Sequence, residues 1–375
     1  MLKSFKIIVC VAVIAVMLTG CMNTVHLKDQ LIVEGMGIDT QGEEIHLTVQ
    51  TLKLGAAAGD ETPQGNRTYN TEGSGESIMD AVSGLSKSLS KKLFFGQNKI
   101  IVFSREIAET DFEEKLDYFL RSQNSRIDVA VCVSDTTAKD IIESEENDSG
   151  VPCENMVYLL KNGQDVGVIT YITVNELLNM YSDKTSDIYL PVVEKKKDKG
   201  SIQVKGIGLF SNDRLVYVTS DDETMGFLLM CNKIETCTIE FEDDELGKVG
   251  VKITSPRAKK HIEIVDGNIN FVVDIKAKIM IDEIENGIVT NLDKEKLDRI
   301  CSKADDEINR ICTQAFTACK DNKSDALRVG EYLAKDSPKS YDKLADDWDT
   351  YLTAVHFSVN ADTALKNISD NTQLG

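Results

Sequence analysis

Apolar and polar residues alternate most cleanly where Ile269, Phe271, Val273, Ile275, Ala277, Ile279 and Ile281 recur at every second position, with Asn270, Val272, Asp274, Lys276, Lys278 and Met280 between them. A period of two sustained that long predicts a strand with one buried and one mostly wet face. The same period marks Ile127, Val129, Val131 and Val133, and sets Ile45, Leu47 and Val49 against His46, Thr48 and Gln50. The latter run pairs with an apolar strand over 31–38 as a hairpin turning at Gln41-Gly42. Shorter strands are expected over 99–103, 188–193, 202–210, 215–219, 249–253, 261–265 and 355–359.

Helical spacing places Ile78, Val82, Leu85 and Leu89 on one face, and Ala108, Phe112, Leu116, Phe119 and Leu120 on another. Further helices are expected over 138–144, 154–161 and 174–181. A long one over 294–320 presents Leu297, Ile300, Ala304, Ile308, Ile311, Ala315 and Phe316 as a stripe, with Asp293 as N-cap. Residues 55–77 are rich in Gly, Ala, Thr and Asn and are expected to form a mobile loop. Glu194-Lys195-Lys196-Lys197-Asp198-Lys199-Gly200 is a charged, poorly apolar connection, so a domain boundary is expected at 195/196. The fold class is then α+β and multidomain, with mixed sheets and packed helices: a mixed α/β domain over 21–195, and a domain over 196–375 of long antiparallel strands plus the helix 294–320.

The first residues differ in kind. Lys3 and Lys6 precede an apolar run over 7–18, long enough for a signal peptide and too short to span a bilayer. Leu18-Thr19-Gly20-Cys21 follows as a bacterial lipobox. Residues 1–20 are therefore expected to be removed and Cys21 to carry a diacylglycerol, since two acyl chains anchor stably where one is marginal. Cleavage would move the net charge from −20 to −22. A chain this acidic, with no basic groove interleaved with aromatics, is repelled by phosphate backbones, so nucleic acid is set aside.

Nine cysteines occur, of which Cys10 leaves with the signal and Cys21 takes the lipid. Seven remain, an odd number, and Cys301, Cys312 and Cys319 lie too far apart along one helix to bridge one another. They are expected to be small buried apolar residues. No C-x-x-C is present and His26, His46, His261 and His356 stand apart, so neither a metal nor a cofactor is expected.

Ser88-Leu89-Ser90-Lys91 and Ser369-Asp370-Asn371 match fragments of penicillin-recognising enzymes, but no K-T-G accompanies them. Gly206-Ile207-Gly208 lacks the third glycine of a dinucleotide loop, and Gly55-Ala56-Ala57-Ala58-Gly59-Asp60 has no lysine for a phosphate. The acidic runs at 221–223 and 240–245 lack a calcium-loop register and are expected to be solvated turns. Asp117 and Arg121, four apart, suit a surface pair, and Trp348, the only tryptophan, suits a core or interface anchor. No catalytic set is suggested, and no enzyme is expected.

With the lipobox in place, the order of these segments resembles the Ger(x)C family of spore germination lipoproteins. The first part is similar at Gly35-Met36-Gly37-Ile38-Asp39, Thr48-Val49-Gln50, the run from Lys91 through Gly96-Gln97-Asn98-Lys99 to Val102, and Leu116-Asp117-Tyr118-Phe119-Leu120-Arg121 with Arg126. The second part is similar at Lys205-Gly206-Ile207-Gly208-Leu209-Phe210, Glu223-Thr224-Met225-Gly226, and Asp325-Ala326-Leu327-Arg328-Val329-Gly330 followed by Trp348. Met22-Asn23-Thr24 departs from the Trp-Asp that often follows the lipid cysteine, and Tyr217 stands where glycine is common.

The resemblance implies a Ger(x)C-like α+β fold and a non-enzymatic C subunit of a nutrient germinant receptor, on the outer surface of the spore inner membrane. It also implies a membrane-embedded A subunit and a transporter-like B subunit as partners, with germinant binding assigned to B and no small-molecule ligand held directly by this chain. The competing reading is a solute-binding lipoprotein of a membrane transporter, which would close two lobes on a small molecule.

Overall fold

The computed structural model describes residues 29–53, 67–110, 112–121, 126–144, 151–196, 200–286 and 292–366. The expected lipid site at Cys21 and the Ser369-Asp370-Asn371 tail lie outside the described residues.

The first sheet begins with a hairpin, β1 (Gln30–Gln41) and β2 (Glu44–Leu52), turned at Gly42 with φ 65°. β3 (Thr68–Gly75) adds antiparallel to β2. α1 (Ile78–Ser88) follows, its N-cap Ser77 accepting from the Asp80 N–H, which satisfies one of the orphan donors of the first turn. A short β4 (Lys92–Phe94) runs parallel to the start of β1, and β5 (Ile100–Phe103) parallel to its middle. α2 (Arg105–Thr110) and α3 (Phe112–Arg121) lead to β6 (Ala130–Ser134). Then come α4 (Ala138–Ile142), α5 (Pro152–Asp165), α6 (Val174–Ser182), β7 (Tyr189–Lys195) and the hairpin β8 (Ile202–Ser211)–β9 (Arg214–Val218).

The strand order is β3-β2-β1-β5-β6-β7-β8-β9, with β4 beside β1. β1, β5, β6 and β7 are mutually parallel, so this centre is covered on both faces. α4 and α5 pack Ala138, Ile142, Cys153, Met156 and Leu160 on Ile100, Val102 and Cys132, while α1, α2, α3 and α6 cover Ile101, Phe103, Val131 and Val133. The connection over 194–200, where composition places a boundary, joins β7 to β8 within this one sheet.

The second sheet has the order β10-β11-β12-β13, from β10 (Thr236–Asp243), β11 (Gly247–Val265), β12 (Asn268–Ile284) and β13 (His356–Leu365). β13 joins parallel to β12. α7 (Asp221–Met230) precedes this sheet. α8 (Lys294–Asp321) lies across it, burying Ile300, Ala304, Ile308, Ile311, Ala315 and Phe316, and Phe316 stacks on Phe357 of β13 at 4.4 Å. α9 (Val329–Asp336), α10 (Pro338–Tyr341) and α11 (Trp348–Leu352) close the chain before β13.

Most periodic segments lie where the hydrophobic pattern puts them, Asp293 included, which caps α8 by accepting from the Lys296 N–H at 2.9 Å. Five expectations need correction. Of the loop expected over 55–77, residues 55–66 lie outside the described residues, and the remainder carries β3, a mostly polar strand held by its ladder to β2. The run over 221–223 is the first turn of α7, where carboxylates suit the positive end of the helix, and Ser220 and Glu223 form a capping box. Of the run over 240–245, Asp244 and Glu245 lie in the exposed turn expected, whereas Glu240 and Glu242 are solvent-facing positions of β10, on the face opposite buried Cys237 and Ile239. The strands over 249–253 and 261–265 are one strand, β11, kinked at a bulge where Ser255 has φ 50°. Ile127 sits in a turn ahead of β6 and is 63% exposed.

The seven cysteines of the described residues are free thiols. Burial raises the pKa of those in the core, that of Cys237 to about 12, so they behave as small apolar residues.

Candidate functional site at the joint between the sheets

The segments that carried the resemblance fall at junctions between elements. Asp39, at the end of β1, accepts from the N–H groups of Ala138 at 2.7 Å and Lys139 at 2.9 Å, and so caps α4 from across the sheet. Gln50, buried in β2, donates to the Ile142 carbonyl at 3.1 Å and accepts from the Cys153 N–H at 3.2 Å, tying α4 to α5. Lys99 lies 3.1 Å from buried Glu34 and 2.7 Å from Glu154, which ties β1 to α5. Asp117 and Arg121 lie on α3. Arg126 pairs with Asp128, its Nη2 lying 2.5 Å from a carboxylate oxygen.

Asp325, Arg328, Gly330 and Trp348 make the most connected of these junctions, between α8 and α11. Asp325 is 1% exposed. Its carboxylate accepts from the Val329 N–H at 2.6 Å, the Gly330 N–H at 2.6 Å and the Trp348 indole N–H at 2.8 Å. The start of α9 is thereby capped by a side chain four residues upstream, a substitute for the side-chain cap that Arg328, in the left-handed region at φ 66°, does not supply. Gly330 fits because a Cβ there would strike the Thr185 carbonyl oxygen.

The first sheet supplies the other half. Asp187, just before β7, accepts from the Asp325 N–H at 2.7 Å and donates its own N–H to the Asp325 carbonyl at 3.3 Å. Arg328 reaches across to Asp183 at 2.7 Å and back to Glu331 at 2.6 Å. Asn212, at the β8–β9 turn, donates to Asp349 at 2.7 Å. Residues 183–187 and 212 of the first sheet thus hold residues 325–349 through charged and backbone groups on both sides. Below them Tyr189 packs edge-on to Phe227 of α7 at 4.8 Å, continuing one apolar core beneath both sheets.

The electrostatics are unusual. Burial pushes Asp325 up to about 7 against the three hydrogen bonds that favour its ionised form, and Asp187 beside it adds to the rise. Burial also raises Asp187 to about 6, with Asp349 contributing in the same direction. Asp183 goes the other way: burial raises it, but hydrogen bonds from Thr185 and Arg328 outweigh that and hold it below the usual carboxylate range.

A polar cavity of about 250 Å³ opens over the joint between Lys184, Asp187, Tyr341, Asp346, Trp348 and Asp349. Among the described residues no three His, Cys, Asp or Glu side chains are placed to hold a metal ion. Sequence reasoning singled out Asp325, Arg328, Gly330 and Trp348 but missed Asp183 and Asp187, more than 130 residues upstream; no local signal marks them, because their role depends on tertiary pairing.

Residues 23–195 match the model for the spore germination protein N-terminal domain, and residues 205–369 the model for the spore germination B3/GerAC-like C-terminal region. The spore germination protein KC of Bacillus subtilis is 23% identical over 94% of this chain and 92% of its own length. The spore germination protein YndF of the same organism is 23% identical over 94% of each. The crystal structure of the GerBC protein superposes with a TM-score of 0.59 at 17% identity, covering 89% of this chain and 97% of that one, and so shares its fold. The chain therefore belongs to the Ger(x)C family of spore germination proteins.

Proposed function

We propose that this protein is the lipid-anchored C subunit of a nutrient germinant receptor, a non-enzymatic part needed for assembly and signalling of the complex. The observation that carries the reading is the match of both spore germination models in succession along one chain. In this reading Cys21 bears the lipid and holds the body on the outer surface of the spore inner membrane, beside membrane-embedded A and B subunits. The joint supports it physically. Its residues are spent on holding two sheets in a fixed relation, which suits a subunit that transmits contact between partners.

Deletion of the gene is expected to abolish dipicolinate release in response to one class among amino acids, sugars and nucleosides, with growth and sporulation intact, and restoration of the gene to recover it. Cys21→Ala is expected to leave the fold intact and to reduce that response, because the tether sets local concentration at the membrane. An unchanged response of the deletion strain to the whole panel would sink the assignment.

A further inference from the structure

The edge of the first sheet where β1, β5 and β6 begin carries features that the joint does not use. A cavity of about 230 Å³ lies there, walled by Lys99, Arg126, Asp128, Glu154, Tyr158 and Lys161. Two large apolar side chains stand out beside it, Ile127 at 63% and Tyr158 at 55% exposed. Lys161 rests over the Tyr171 ring at 5.1 Å and acts electrostatically on Asp128 of the same cavity wall; among the described residues Lys91 and Lys92, at the β4 end of the same edge, have no ion-pair partner. Arg126 donates to the Gly96 carbonyl at 3.3 Å, which joins the turn after β4 to the cavity wall. Lys99 and Arg126 are paired with Glu154 and Asp128, so Lys91, Lys92 and Lys161 are the cations that this edge offers beside its exposed apolar groups, in a chain whose net charge is −20.

The position of this edge along the chain says what it faces. Lys92 pairs with Gln30, the first residue of β1, and the Lys99 N–H donates to the Glu34 carbonyl at 3.0 Å. Four residues of strand separate Gln30 from Glu34, about 13 Å at the rise of a β-strand. Cys21 lies nine residues before Gln30, so even a fully extended link spans only about 30 Å. A bilayer that holds Cys21 is within reach of this edge.

Resting on the lipid-anchor reading above, we propose that this edge is a second, non-covalent contact with an anionic bilayer. Ile127 and Tyr158 enter the headgroup layer, where an apolar side chain and a ring with a polar tip are both accommodated, and Lys91, Lys92 and Lys161 meet lipid phosphates. The acidic remainder of the molecule is repelled by the same surface, which fixes the orientation of the body.

The test is flotation of the chain from residue 22 onward, which lacks leader and lipid but keeps every described residue, with vesicles of phosphatidylcholine alone or mixed with phosphatidylglycerol. The chain is expected to float only with the mixed vesicles, and less so as salt is raised. Lys92→Gln and Lys161→Gln are each expected to weaken partition about fivefold. Ile127→Ser weakens it too, while Lys259→Gln on exposed β11 leaves it unchanged. Equal flotation with both vesicles, none with either, or unaltered partition of the two lysine variants would overturn the proposal. Displacement by inorganic phosphate would also overturn it, since the edge would then take a soluble anion. The mass of the processed N-terminus of the full chain tests the anchor separately: an unmodified Cys21 sinks that reading and leaves the flotation result standing.

Discussion

At the scale of single residues, the carboxylate of Asp325 governs the joint, and its titration gives a measurable sign. Its folded-state value of about 7 lies above the ordinary 3.8, so between these the native state binds the proton and the unfolded state does not. Stability from this group is complete below the unfolded value and is lost as pH rises through the folded one. Asp187, raised to about 6, acts in the same direction. Asp243 does the opposite: hydrogen bonding from Arg299 holds it at about 2, so its contribution is present above the ordinary carboxylate value and is lost as pH falls through 2. Asp325→Asn turns an amide NH2 or a single oxygen toward three N–H donors and is expected to cost about 3 kcal/mol. The difference from the parent, measured by urea denaturation, is expected to be largest near about pH 4 and to shrink toward about pH 8. A difference that grows with pH would mean that the three hydrogen bonds keep Asp325 ionised.

At the scale of elements, close packing of α7 on α8 holds the second sheet to the first. Gly226 faces the backbone of α8 at Ile311, and a Cβ there would land on the Ile311 carbonyl oxygen, so the two helices touch backbone to backbone. Gly226→Ala must push them apart and is expected to cost about 2 kcal/mol as an overpacked contact, read as a lower thermal midpoint. The neighbouring substitution Met225→Leu, at a half-buried position, is expected to change stability by less than about 1.5 kcal/mol.

How far each element was legible in the sequence follows from the same physics. β12 and α8 declare themselves because one face of each is buried and the other wet, so their periods survive in the sequence. α7 does not, because Phe227, Leu228, Leu229 and Met230 are buried all round it and no stripe is left to see. Its Ser220–Glu223 capping box was the available signal, hidden inside an acidic run. β3 has no aliphatic side chain and Tyr69 as its one aromatic, so only its pairing reveals it. At the joint, Asp325 and Trp348 could be singled out by motif, but their hydrogen bond spans 23 residues and the one to Asp187 spans 138, which no periodicity encodes.

At the scale of the molecule, the question is whether the two sheets fold as one body. Their covalent link is short: β9 ends at Val218 and α7 starts at Asp221. The apolar cluster that starts at Val33 continues through Tyr189 and Phe227 to Phe271 and Val355, beneath the polar joint. A chain with one continuous core is expected to unfold in one cooperative step. Trp348 makes this testable, since the single tryptophan reports the joint while far-ultraviolet circular dichroism reports both sheets. In urea the two signals are expected to change together in the parent protein. Asp187→Ala removes the acceptor of the Asp325 N–H and leaves the strands of both sheets in place, so it is expected to shift the tryptophan transition below that of circular dichroism. Coincident transitions in that variant would mean that the apolar core beneath the joint, and not its carboxylates, couples the two sheets. Separate transitions in the parent would mean that each sheet stands alone and that the joint is an interface between two independently stable domains.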